Sequence, residues 1–266
     1  MPDGEPGASG PEFAAQVDAF LLAMGTPSRQ PEPRLAERFA SVELQRVPSD
    51  GGALAAWRLG ADSAVLLVHG WEDNHSLWSP LIESLAQRGR SVVAFDMPAH
   101  GYSEGEWGLN PEAVDAVFAV SNALGPIDAV VGHSSGAGVV ALALTEGLCV
   151  DRVVLIAPPL RGDDRFQRYA QRLGVPRDVA AAAKAFYEKR LGRERAAFDP
   201  RAALQRLDVR LLLIHSVDDE RMPFSDSLEV AAQLHDGELF AVEGLTHRRT
   251  ARDLEVVERV SDFVSA

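Results

Sequence analysis

Short, wholly apolar runs recur along the chain and alternate with longer segments whose apolar positions fall three and four residues apart. Residues 64–68 read AVLLV, and a run with no polar member is what a strand covered on both faces requires. Residues 91–96 (SVVAFD), 127–132 (IDAVVG), 151–157 (DRVVLIA), 210–216 (RLLLIHS) and 237–242 (GELFAV) have the same character. Helical spacing between them predicts helices over 77–88, 111–124, 135–147, 226–235 and 252–264. Strand and helix in alternation predict an α/β fold, a mostly parallel sheet with helices on both faces. Residues 41–47 and 53–59 flank Ser49-Asp50-Gly51-Gly52, which predicts an antiparallel hairpin leading into that sheet.

Two segments depart from the alternation. Between Pro159 and Arg210 lie helical patterns, among them 178–191, and no strand. A helical excursion after a central strand lies over the carboxyl edge of the sheet, where open α/β folds take their ligands. Residues 160–208 are therefore expected to form a small cap. Near the start, Phe13, Val17, Phe20, Leu21 and Met24 predict a short appended helix, preceded by twelve residues rich in Pro, Gly and acid, the composition of a disordered terminus. The expected organisation is a tail and appended helix over 1–33, a core over 34–159 and 209–266, and the cap.

Composition adds exclusions. The 266 residues are 46% hydrophobic and 24% charged, enough for a sizeable core. Thirty-nine acidic against twenty-six basic side chains give a net charge of -13, which repels phosphate backbones and anionic lipid surfaces, so neither nucleic acid nor membrane is expected as a partner. No apolar run approaches the ~18 residues needed to span a bilayer. Cys149 is the single cysteine and the first twelve residues lack a basic start and an apolar signal core, so the expected setting is cytoplasmic.

The strongest chemical signal is Gly132-His133-Ser134-Ser135-Gly136, placed between the strand at 127–132 and the helix at 135–147. A serine in a sharp strand-to-helix turn adopts a strained backbone, and glycines two residues to either side leave room for it. Here the chain, over about residues 41–264, resembles the α/β-hydrolase superfamily, most closely its serine-hydrolase branch with a lid after the sixth strand. The resemblance implies Ser134 as nucleophile; an aspartate there would instead have implied a dehalogenase or epoxide hydrolase. It implies a triad in the chain order Ser, Asp or Glu, His. Asp219, four residues before Pro223, matches the acid, with Asp218 as close competitor and Asp163 or Asp164 as the less common location. His247, after the last strand, matches the base, although Thr246 stands where relatives often carry glycine.

The resemblance also implies an oxyanion hole from the backbone N–H groups of Ser135 and Trp71. Glu72 and Asp73 are awkward there, since negative charge opposes an oxyanion unless it points into water. Residues 95–106 resemble the family's turn after the fourth strand, with Ala99 in place of a glycine; Asp96, Gly101 and Ser103 are assigned to architecture. His69, His75, His100, His133, His215 and His235 read as structural, with no metal-ligand spacing, and no glycine-rich phosphate loop indicates a nucleotide, so no cofactor is expected. Trp71, Trp78, Phe166, Tyr169, Phe186 and Tyr187 are the expected apolar wall of the substrate pocket. The implied activity is cleavage of a small carboxylic ester through an acyl-enzyme. A thioester, lactone or carbon–carbon substrate on the same triad, or a ligand receptor with a hydrolase fold, are the alternatives.

Overall fold

A computed structural model describes residues 10–27, 42–108, 110–161, 165–192, 199–234 and 236–266. Asp163, Asp164 and His235 lie outside the described residues. Eight strands form one sheet: β1 (Gln45–Val47), β2 (Leu54–Leu59), β3 (Ala64–Val68), β4 (Ser91–Phe95), β5 (Ile127–His133), β6 (Arg152–Ile156), β7 (Arg210–Ser216) and β8 (Gly237–Val242). Their spatial order is β1-β2-β4-β3-β5-β6-β7-β8. The β1–β2 and β2–β4 pairs are antiparallel and all others parallel. The helices are α1 (Pro11–Gly25), α2 (Ser79–Gln87), α3 (Asn110–Leu124), α4 (Ser135–Thr145), α5 (Arg165–Leu173), α6 (Arg177–Leu191), α7 (Pro200–Leu204), α8 (Phe224–Ala231), α9 (His247–Thr250) and α10 (Leu254–Ser265). This is the α/β-hydrolase fold.

Strand periodicity explains how one apolar run serves two layers, since successive side chains point to opposite faces. Along β3, Leu66 and Val68 join a cluster with Val114 and Val117 of α3 and Val140 of α4. Val65 and Leu67 instead meet Leu81 and Leu85 of α2 and Val256 and Val260 of α10. The expected helix at 77–88 starts with a 3₁₀ turn, His75–Trp78, whose Ser76 N–H is capped by the Asn74 side chain, and continues as α2 with Pro80 in its first turn. Proline is tolerated there because first-turn N–H groups lack intrahelical acceptors.

Helices α5 and α6 share a cluster with α1. Phe166 and Ala170 of α5 and Val179, Ala180, Ala183 and Tyr187 of α6 cluster with Phe20, Leu21 and Met24 of α1. The helix read from sequence as appended is thus packed against α6, and the apolar stripe on α1 faces α5 and α6.

Candidate functional site

At the C-terminal edge of the central strands the chain reverses sharply from β5 into α4. Ser134 sits in the turn at φ 53° and ψ -124°, a conformation rarely adopted by a residue with a side chain. The flanking glycines are required by close approach. A Cβ on Gly136 would stand 2.3 Å from the His69 carbonyl oxygen, and one on Gly132 would stand 2.7 Å from the Ala137 Cα. The turn is held by the Ser134 N–H donating to the Ile156 carbonyl at 2.9 Å, while the Ser134 carbonyl accepts from Ala137 and Gly138.

Ser134 Oγ lies 2.7 Å from His247 Nε2, and His247 Nδ1 lies 2.7 Å from Asp219 Oδ2. The other Asp219 oxygen accepts the Arg221 and Met222 backbone N–H groups at 2.8 and 2.9 Å. Burial alone would raise the Asp219 carboxyl, but hydrogen bonds from His215, His247 and Met222 N–H outweigh it and hold it well below the ordinary carboxylate range. His215 does this from 3.4 Å, its own ring fixed by Ser227 Oγ and the Met222 carbonyl. Asp218, the competitor, turns away and accepts from the Gly244 N–H at 2.7 Å, tying the loop after β7 to the loop after β8. Glu220 accepts from the His247 N–H at 3.1 Å. Thr246 has φ -74°, an ordinary value, so this loop needs no glycine before its histidine.

The loop after β3 is fixed by two histidines acting as neutral connectors. His69 accepts from the Met97 N–H and donates to the Gly70 carbonyl; His100 accepts from the Glu72 N–H and donates to the Pro98 carbonyl. Burial pushes both rings down, His100 to about 3. Gly70 runs so close to the elbow that a Cβ there would stand 3.1 Å from Ser134 Cβ, and Glu72 turns the loop at φ 57°. Asp73 is buried beside this loop rather than directed into water, and Arg248 grips it with a two-pronged hydrogen bond of 2.6 and 3.0 Å. That grip raises the Arg248 guanidinium further and matches the Asp73 charge that was awkward in the expected oxyanion loop. His133, pushed down to about 3 by burial and then by the nearby His247, lies 3.1 Å through Nε2 from the His247 carbonyl.

These groups line a cavity of about 710 Å³. Its floor is Ser134, His133 and His247; Trp71, Glu72 and Asp73 form one wall, and Arg172, Leu173, Arg221 and Arg248 form the rest. Of the expected apolar wall only Trp71 is in place. Trp78 is fully buried between the sheet and α2. Phe166 and Tyr187 face α1, their rings 5.3 Å apart. Tyr169 packs beside that cluster with the Arg172 guanidinium 4.4 Å above its ring. Phe186, about 100° around the helix from Tyr187, lies half exposed to solvent. Helices α5 and α6 turn their apolar faces to α1, and the end of α5 reaches the cavity. Asp96, Gly101 and Ser103 hold the turn after β4: Asp96 accepts from His75 and the Tyr102 N–H, and Ser103 bridges the Ala55 N–H and the Asp96 carbonyl. Among the described residues no three His, Cys, Asp or Glu side chains converge as metal ligands, and no helix is long and apolar enough to cross a membrane.

A family model described as alpha/beta hydrolase fold matches residues 63–224. An uncharacterised protein of Mycobacterium bovis is 34% identical over 116 residues, 40% of this chain and 32% of that protein, so the chain spans about a third of the length of this curated relative. A bifunctional esterase/perhydrolase of Acinetobacter calcoaceticus is 27% identical over 246 residues, 73% of this chain and 88% of that protein. Among solved structures, an esterase of Pyrococcus furiosus superposes with a TM-score of 0.70 at 21% identity, covering 91% of this chain and 97% of that one. A bromoperoxidase of Bacillus anthracis gives 0.66 at 18% identity, covering 85% and 100%.

Proposed function

This chain belongs to the α/β-hydrolase family, and from that membership we propose that it cleaves a small carboxylic ester through a covalent acyl-enzyme, with Ser134 as nucleophile. The observation that carries the reading is the relay of 2.7 Å contacts from Ser134 Oγ through His247 to Asp219, opening on the cavity. His247 Nε2 takes the serine proton as Oγ bonds to the ester carbonyl carbon. The proton then passes to the departing alcohol as the carbon–oxygen bond breaks. Water gives a proton to His247, attacks the acyl carbon and releases the acid, restoring Ser134. Asp219, held ionised, keeps Nδ1 protonated and stabilises the imidazolium that forms.

The developing oxyanion is received by the Ser135 and Trp71 backbone N–H groups. Support for Ser135 is its place at the head of α4, where N–H groups lack intrahelical acceptors and the helix dipole favours negative charge. Support for Trp71 is the close approach of its loop to the elbow at Gly70. Asp73 does not defeat this arrangement, because Arg248 offsets its charge.

The test is turnover of p-nitrophenyl butyrate with mass detection of the protein. The wild type accumulates a butyryl adduct on Ser134 that decays by hydrolysis, and Ser134→Ala lowers kcat by about 10⁴-fold or more with the thermal midpoint preserved. Near wild-type turnover by Ser134→Ala overturns the reading.

A further inference from the structure

Composition and the cavity wall disagree about charge. The chain carries a net charge of -13, yet the cavity beside Ser134 is walled by three guanidinium groups, Arg172, Arg221 and Arg248, against two carboxylates, Glu72 and Asp73. Arg248 is already matched, because its fork grips Asp73. The other two guanidinium groups are differently placed. Arg221 follows the relay's acid by two residues and its backbone N–H is pinned by Asp219 at 2.8 Å. Its side chain is 65% exposed and meets only the edge of ion-pair range with Glu220, at 3.9 Å. Glu220 meanwhile accepts the His247 N–H through its other oxygen. Arg172, at the end of α5, lies over the Tyr169 ring at 4.4 Å and has no carboxylate within ion-pair range among the described residues. Stacking fixes the plane of a guanidinium and leaves its in-plane N–H edge for an acceptor.

The apolar alternative is poorly served. Trp71 and Leu173 are the large apolar side chains on the wall, and Leu173 is 48% exposed. The rings that could have received a long acyl chain face α1 or solvent instead.

We infer that the cavity selects esters bearing a carboxylate, which Arg172 from the cap and Arg221 from the loop after β7 receive while Ser134 addresses the ester carbonyl. This rests on the hydrolase reading for the chemistry and on the two arginines for the choice of substrate. Arg172 and Arg221 are specificity residues, and a half-ester of a short dicarboxylic acid is the simplest molecule that meets both requirements.

The experiment compares mono-p-nitrophenyl glutarate with its neutral methyl ester, and separately measures thermal stabilisation of the Ser134→Ala protein by monomethyl glutarate and by dimethyl glutarate. The wild type is expected to favour the anionic ester in kcat/KM by about tenfold at low salt, as charge-assisted hydrogen bonds warrant. The preference acts mainly through KM and shrinks as salt rises. Arg172→Gln and Arg221→Gln each lower the ratio severalfold, and Arg172→Lys restores part of it. Monomethyl glutarate stabilises the protein and dimethyl glutarate does not. Turnover of the neutral ester with no preference for the anion, and equal stabilisation by monomethyl and dimethyl glutarate, overturns the inference and leaves the hydrolase reading standing. An unchanged ratio in both Gln variants overturns it as well. Absence of any turnover, with monomethyl glutarate still binding through the two arginines, overturns the hydrolase reading and leaves the anion site intact.

Discussion

Around the floor of the cavity three histidines are tied at both ring nitrogens: His247 to Ser134 and Asp219, His215 to Ser227 and Met222, His100 to Glu72 and Pro98. In the roof, α5 and α6 are held by apolar contact with each other and with α1, and the end that reaches the cavity, Arg172 and Leu173, is exposed. Directional bonds fix atoms to within tenths of an ångström, which proton transfer requires. Apolar packing fixes a helix without fixing the angle of a long side chain at its tip. The relay is thus set by directional bonds at both nitrogens of its histidine, while the two arginines proposed to set selectivity are held by fewer contacts, Arg172 by stacking on Tyr169 and Arg221 with a side chain 65% exposed.

The sharpest way to break the floor is to remove the acid. Asp219→Asn is expected to lower kcat by roughly 10³ to 10⁴-fold, because an amide orients the wrong imidazole tautomer; Asp218→Asn, which loses only the bond to Gly244, should lower it far less. Steady-state kinetics of the two variants decides the matter, and the reverse ranking would move the acid to Asp218.

Breaking the roof should look different. Phe166→Ala opens a cavity in the α1–α5–α6 cluster and should cost about 3 to 5 kcal/mol of local stability. Hydrogen exchange is expected to speed up in those three helices while β5 and β7 keep their protection. Uniform acceleration through the sheet would mean that roof and floor unfold as one unit.

The seam between the two loops of the floor is the Asp73–Arg248 fork. Arg248→Gln leaves Asp73 buried and unmatched, whereas Asp73→Asn leaves a guanidinium that solvent can reach, its side chain being 47% exposed. The unfolding free energy from denaturant titration should therefore fall more for Arg248→Gln, by about 1 to 3 kcal/mol, than for Asp73→Asn. A double variant that loses the sum of both would show that the two side chains are not coupled.

The smallest effect per step is acid sensitivity. His100 and His133 are each pushed down to about 3 from an ordinary 6.5. Between those values the unfolded chain binds protons that the folded chain refuses, so stability falls as pH falls through that window, by up to about 1.4 kcal/mol per pH unit for each ring. The depressed carboxyl of Asp219 adds its loss only below the ordinary carboxylate range, which leaves pH 6.5 to about 4 to the histidines. Urea midpoints across that interval should slope less in His100→Asn than in the wild type. An equal slope would remove His100 from the account.

The sheet was legible because each strand is written locally: 64–68, 210–216 and 237–242 coincide with β3, β7 and β8. The elbow was legible for the same reason, its glycines, strand and helix being neighbours in sequence. The acid and base were reachable through the family resemblance, with its chain order and the spacing of Asp219 to Pro223, and the structure brings Asp219 and His247 together. The cavity wall was not legible. Asp73 and Arg248 are far apart in the chain, and nothing local to either announces the fork, though a cation directly after the expected base and an acid in the expected oxyanion loop could have been paired. The aromatic positions of the cap followed helical spacing, but spacing does not say which neighbour a stripe faces. Phe166 and Tyr187 face α1 because that helix brings a matching stripe, Phe20, Leu21 and Met24.

The partnership of α1 with α6 also sets an order of assembly. More than half the chain separates Phe20 from Ala180, so during synthesis α1 emerges long before the helices that cover it. Until α5 and α6 appear, most of the native surface that covers its apolar stripe is missing, Trp107 being the earlier part of it. A contact of such long sequence separation forms late, after the loop entropy between its ends has been overcome. The contact between α1 and α6 is therefore expected to form late, as is the Asp73–Arg248 fork, whose ends lie farther apart still.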